Sequence, residues 1–260
     1  MAISRISLCD SFRSIAFETW RRLALSRAVG HQTLEETISD LNTLSLRISN
    51  PAEITTELFN KRDEGLNGAD WEWWFLDRVG KMGFPVRIQA KVLQLRSNTF
   101  AHLHYKKKGI YQGDKLGAAA AARKMVPLYC FYLHSPKPIS GSALCGTFPD
   151  ASESFGCSLV SVKHIRSLRP ADVSLVSVLK GAMPWHCLVC CEGFSQGTLP
   201  ERVAATLRQR GFGPSDPAAP ELQVRTDIPD YVRTIQDGNL AESPDPSLKG
   251  IIVVREAAVF

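Results

Sequence analysis

The chain has 260 residues, 44% of them apolar, which suits one sizeable domain, or a domain with a smaller appendage, around a substantial core. Its formal net charge of +5 tolerates a polyanionic partner but falls short of the basic footprint of a dedicated nucleic-acid-binding module. No run approaches eighteen consecutive apolar residues, so neither a transmembrane helix nor a membrane partner is expected. A Walker A loop, a G-x-S-x-G elbow and an H-E-x-x-H helix are all missing, which removes most of the case for those enzyme classes.

Residues 1–30 read as a helical lead-in. Arg13, Glu18, Arg21 and Arg22 interrupt the apolar residues of positions 12–25, which spoils a signal-peptide core and leaves an amphipathic helix. A cytoplasmic protein with reduced thiols is the expectation. Residues 33–41 predict a second helix, with Leu34, Ile38 and Leu41 as its apolar stripe. At 100° per residue Glu35 flanks that stripe and Glu36 points nearly away. Thr33 followed by Glu36 also fits a capping box, a structural job for Glu36.

Two short segments follow, Gly68-Ala69-Asp70-Trp71-Glu72-Trp73-Trp74-Phe75 and Val86-Arg87-Ile88-Gln89-Ala90-Lys91-Val92-Leu93. Both are apolar and rich in aromatic or β-branched residues, which reads as two strands around a Gly- and Pro-containing turn. Side chains alternate along a strand, so Asp70 and Glu72 share one face, as do Gln89 and Lys91. If the strands are neighbours, two carboxylates, a carboxamide and an ammonium converge. That set suits a hard cation such as magnesium, with the lysine orienting a water or neutralising charge that grows on a phosphate. The plainer reading is a half-exposed strand pair in which Trp71, Trp73 and Trp74 are core and nothing more.

Next comes His102-Leu103-His104-Tyr105-Lys106-Lys107-Lys108. The three lysines suit a phosphate-contacting strand edge, or equally a hairpin with a solvated turn at Lys108-Gly109. Tyr111-Gln112-Gly113-Asp114 leads into an alanine-rich helix, with Asp114 placed to start it. Ser135-Pro136-Lys137-Pro138 and the Gly/Ser stretch 140–146 close a unit over residues 31–140 that alternates helix, strand, strand, helix and strand, as an α/β core sheet does. Residues 141–260 form an α+β extension that completes the core or covers the site. Its strands are expected at 158–162, 185–191 and 250–255 and its helices at 200–210 and 231–236, with 174–179 open between the two states. Cys187 and Cys190 form a C-x-x-C beside Cys191, but no second ligand pair accompanies them, so buried reduced thiols are expected.

An Asp followed about twenty residues later by Gln-x-Lys resembles the core of the PD-(D/E)XK, restriction-endonuclease-like nucleases. Gly68-Ala69-Asp70 with Gln89-Ala90-Lys91 is similar to the Mrr-type form, in which Gln-x-Lys replaces Glu-x-Lys. The wider run 59–133, including residues 60–64 and 127–132, looks like an uncharacterised bacterial domain family of this type. The resemblance covers roughly residues 30–135. It implies a central mixed sheet flanked by helices, a magnesium (or manganese) cofactor, and Asp70, Glu35, Glu72 and Gln89 as the ligand set, with Glu35, Glu36 and Glu72 competing as second carboxylate. Lys91 would act on the attacking water or the transition state. Gln112 stands where family members present a polar residue to substrate, although Leu116 departs from their Gln-x-x-x-Tyr pattern. The implied activity is metal-dependent hydrolysis of phosphodiester bonds, with DNA as the expected substrate, Lys106, Lys107 and Lys108 on its backbone, a homodimer for double-strand cleavage and a setting in defence against foreign DNA. Replacement of the usual Glu by Gln89 keeps two rivals open, a catalytically silent binding module and a partner-activated effector.

Overall fold

The structure, a computed structural model, describes residues 6–59, 69–139, 148, 151–190, 197–216, 218–239, 242–245 and 248–257. Gly68, residues 60–64, the stretch 140–146, Cys145 and Cys191 lie outside them. In chain order the elements are α1 (Leu8–Ala28), α2 (Glu35–Ser49), β1 (Ile54–Leu58), β2 (Trp71–Leu76), β3 (Gly83–Val92), β4 (Lys106–Lys107), β5 (Ile110–Tyr111), α3 (Gln112–Ala121), β6 (Val126–Tyr132) and β7 (Cys157–Ser161). There follow α4 (Val162–Ser167), α5 (Leu175–Leu179), β8 (Ala182–Pro184), α6 (Cys187–Cys190), α7 (Leu199–Gln209), α8 (Asp230–Gln236) and β9 (Gly250–Arg255).

Among the described residues the central sheet has seven strands in the order β1-β9-β2-β3-β6-β7-β8. β2 runs parallel to β9 and β3 parallel to β6, while the other neighbours are antiparallel. The fold is therefore α/β, a mixed sheet flanked by helices. β7, β8 and β9 all come from beyond residue 140, so the second half of the chain completes this sheet, and β9 sits between β1 and β2.

Strand alternation sorts β2 into two faces. One carries Trp71, Trp73 and Phe75 against α1, where the Phe12 and Trp73 ring centroids lie 6.0 Å apart and Phe12 and Trp185 5.0 Å apart. Trp71, Trp73 and Trp74 are all buried, and truncating a side chain of this size in a core costs about 3–5 kcal/mol. α1 begins where the Ser7 hydroxyl accepts the Asp10 amide, and it lies hard against the turn that leads into β7. A Cβ on Gly156 would sit 2.0 Å from the Ala16 carbonyl oxygen, so only glycine admits the helix there.

Four sequence expectations are corrected. The stripe on α2 is inverted: Ile38 is buried, but Leu34 is 64% and Leu41 40% exposed, and the helix turns Ser39, Asn42 and Thr43 inward instead. The cause is polar pairing. Ser39 meets the Tyr132 hydroxyl at 3.0 Å, Thr19 donates to Asn42 at 3.0 Å and Asn42 to the Cys157 sulfur at 3.4 Å. Each group left buried and unpaired would cost about 1–3 kcal/mol, enough to outweigh exposing a leucine. The capping box is the second correction, since Leu34 is the N-cap and no side chain caps the helix. Third, of the strand expected over 185–191, the described residues 185–190 do not form one: after β8 the Trp185 indole donates to the Phe12 carbonyl at 2.6 Å and the chain coils into α6. That turn brings about the fourth, because it delivers Cys190 to Cys9, with which it forms a disulfide at a Cα separation of 4.8 Å, so Cys190 is not a reduced thiol. Cys130, Cys157 and Cys187 are buried thiols. No helix among the described residues is long and apolar enough to cross a membrane.

Candidate active site

The second face of β2 and β3 carries the polar residues. The antiparallel register sets Trp71 against Ile88 and Glu72 against Arg87, which puts Asp70, one residue ahead of β2, level with Gln89. Asp70 is held by backbone and side chain together. Its amide donates to the Ile88 carbonyl at 2.8 Å, and its Oδ2 accepts the Ala90 amide at 3.0 Å and the Gln89 carboxamide. Gln89 Oε1 in turn accepts from Gln112 Nε2 at 2.7 Å, and Gln112 is the first residue of α3. Asp70, Gln89 and Gln112 thus form one hydrogen-bonded chain running from strand to strand to helix.

Gln89 meets Asp70 with its nitrogen, which also donates to the Ala90 carbonyl at 3.1 Å. The carboxamide oxygen, expected beside Asp70 on a cation, is turned to Gln112. Lys91, two residues further along the same face, is half-buried and makes no hydrogen bond or ion pair among the described residues. Its charge is nevertheless felt at Glu35.

Glu35 reaches the site from the first turn of α2. Burial raises its pKa to about 7; Lys91 and Lys249 oppose the rise, and Asp70 and Glu36 add to it. The carboxyl therefore holds a proton far more readily than an ordinary glutamate. Lys249 is a residue that sequence reasoning misses. It directly precedes β9, lies beside Asp70 across the β2–β9 pairing, and donates its amide to the Asp70 carbonyl at 2.7 Å. Its ammonium is 3.1 Å from Asp70, 3.3 Å from Glu36 and 3.7 Å from Glu35, with 11% of the side chain exposed. Burial disfavours that charge, yet the three carboxylates outweigh it and hold its pKa above the ordinary lysine value. Glu36, expected as a solvated charge, is a partner of this ammonium. Sequence offers one faint signal, a lysine directly before an apolar strand, and nothing to say which strand would lie beside it.

Glu72 does not join the group. Its Oε1 accepts the Trp74 indole at 2.8 Å and the Tyr231 hydroxyl of α8, and its Oε2 takes Arg87 at 3.2 Å with both side chains fully buried. Arg87 also pairs with Asp245 at 3.0 Å. Glu72 is thus held in a fully buried network apart from the Asp70 group. Asp114 lies in the first turn of α3, at the helix start as expected, without capping it, and pairs with Arg166 at 2.9 Å and Arg169 at 3.0 Å, which lower its pKa.

Lys106, Lys107 and Lys108 are exposed on a two-stranded ribbon. Lys108 and Gly109 have φ of 54° and 77°, the paired positive values of a tight hairpin turn. The ribbon ends at Tyr111, directly before Gln112, so it leaves the sheet beside the Asp70 chain. Lys106 and Arg169 lie over the Tyr111 ring at 4.3 and 3.9 Å. Tyr129, level with Gln89 on β6, is a further buried polar residue that sequence reasoning passes over, and its hydroxyl has no hydrogen-bond partner among the described residues.

Among the described residues no three His, Cys, Asp or Glu side chains are grouped as a metal ion would need. Two carboxylates, Asp70 and Glu35, do converge, and magnesium is commonly held by one or two carboxylates with waters and substrate oxygens supplying the rest. The donor set fits a hard cation in that sparse form, without Glu72 and without the Gln89 oxygen.

No curated protein matches the chain. A family profile matches residues 8–259, nearly the whole sequence, and carries the description "Family of unknown function (DUF6615)". The chain belongs to the DUF6615 family.

Proposed function

We propose that this protein is a metal-dependent nuclease of restriction-endonuclease-like architecture that hydrolyses phosphodiester bonds in DNA. The observation that carries the reading is the convergence of Asp70, Gln89 and Lys91 from two antiparallel strands with Glu35 from the preceding helix. Asp70 and Glu35 would hold the cation. When bound, magnesium would supply Lewis-acid polarisation of the scissile phosphate. Gln89 and the Ala90 amide fix the Asp70 carboxylate, and Gln112 fixes Gln89, so the site is oriented by hydrogen bonds before substrate arrives. A solvent water would take the proton that the attacking water loses as its oxygen bonds to phosphorus, since Glu35 is engaged with the cation. Lys91 neutralises charge that builds on the phosphoryl oxygens while the bond to the leaving oxygen breaks. The exposed Lys106, Lys107 and Lys108 would take backbone phosphates on the approach to the site.

A second reading, a silent nucleic-acid-binding module, is favoured by one observation: Lys249 already neutralises the carboxylates. Plasmid cleavage with magnesium, manganese or EDTA, run on wild type, Asp70→Ala and Lys91→Ala, separates the two. Metal-dependent nicking or linearisation lost in both variants establishes the nuclease. DNA binding without cleavage in either metal establishes the silent module.

A further inference from the structure

We propose, resting on the cation-site reading above, that Lys249 is the built-in counter-ion of this site and that a divalent metal binds by taking its place between Asp70 and Glu35. The ammonium lies within 3.7 Å of all three carboxylates and is the nearest positive charge to Asp70 among the described ion pairs. Lys91 makes no such contact, so the two lysines divide the work: one holds the acidic oxygens together, the other stands back from them. A dication and an ammonium cannot share the same oxygens, because like charges at contact distance repel strongly even under protein screening. Exchange is confined to the side chain. The Lys249 backbone is fastened on both sides, its amide to the Asp70 carbonyl at 2.7 Å and its carbonyl to the Phe59 amide at 2.8 Å, while its four-carbon stem is flexible. The site is thereby closed by its own chain when metal is scarce and opened by metal itself.

The test uses the full-length, metal-free protein and Mn2+ as the probe. By titration calorimetry Lys249→Met binds Mn2+ about tenfold more tightly than wild type or better, since a competing like charge at such a site is worth a unit or more. Lys249→Arg stays near wild type, and Asp70→Asn placed on Lys249→Met abolishes the gain. Should Lys249→Met fail to fold, wild type alone decides: under reductive methylation read by mass spectrometry, Lys249 is protected without Mn2+ and labels several-fold faster with it. Mn2+ that binds wild type and Lys249→Met equally, or binds wild type while leaving Lys249 labelling unchanged, overturns the exchange and leaves the cation site standing. Absence of Mn2+ binding in every protein overturns the cation site and the exchange together.

Discussion

Two polar clusters share one face of β2 and β3 and have opposite characters. Around Glu72 each carboxylate oxygen is taken, the Glu72 and Arg87 side chains are fully buried, and Tyr231 and Asp245 close the network from the second half of the chain. Around Asp70, two residues along the same strands, the Lys91 side chain stands without a hydrogen bond, burial holds the Glu35 pKa above the ordinary carboxylate range, and the lysine that balances the charge hangs on a flexible stem. The same alternation of residue types produced both. What separates them is what the rest of the chain brings up against them, a fully buried guanidinium in one place and, in the other, a flexible ammonium beside a half-buried lysine whose side chain has no partner.

The contrast is broken most directly at Arg87. Arg87→Ala leaves Glu72 charged and buried, and a loss of about 3–5 kcal/mol in urea unfolding is expected, with much of it recovered in Glu72→Gln/Arg87→Met. A drop below about 1 kcal/mol in Arg87→Ala would remove the distinction between the clusters. Lys91→Ala should do the reverse. Its unfolding midpoint stays near wild type because the side chain holds no hydrogen bond, while cleavage falls by about 10²-fold or more, the scale on which one transition-state interaction is worth.

Proton linkage sharpens the comparison further. Glu35 titrates near 4.5 when unfolded and at about 7 when folded, so between those values the folded state binds more protons and stability falls as pH rises. The fall, at most about 3 kcal/mol at roughly 1.36 kcal/mol per pKa unit, should disappear in Glu35→Gln. Unfolding midpoints at pH 5 and pH 8 for both proteins decide it. The smallest effect is expected at the ribbon. Replacing Lys106, Lys107 and Lys108 by alanine leaves stability unchanged, weakens DNA binding evenly across sequences, and lowers the salt slope by roughly 0.9 for each phosphate no longer neutralised.

Much of the open cluster is legible in the sequence because it is local. Asp70, Gln89 and Lys91 lie on two strands joined by a short connection, and strand alternation aims them together. Glu35 and Gln112 sit at the starts of the helices on either side. What escapes a sequence reading comes from pairings distant along the chain. Nothing in Trp71-Glu72-Trp73 announces that Arg87 and Tyr231 will consume the carboxylate, nor does Lys249 announce that its strand will lie beside β2. α2 misleads because an apolar stripe is the usual inward face, whereas here buried hydroxyl and amide partners on Thr19 and Tyr132 reward the polar side. Cys190 misleads because a short helix, not a strand, carries it to Cys9.

The insertion of β9 between β1 and β2 has a bearing on how the molecule comes into being. During synthesis the first strands are finished long before the one that must lie between them, so a gap between β1 and β2 persists until residues 250–255 have been made. Lys249, which fills the acidic site, arrives directly ahead of that strand. An incomplete chain would therefore carry an unfilled sheet and an unbalanced site together, and both are made good by a single event, the docking of one six-residue strand.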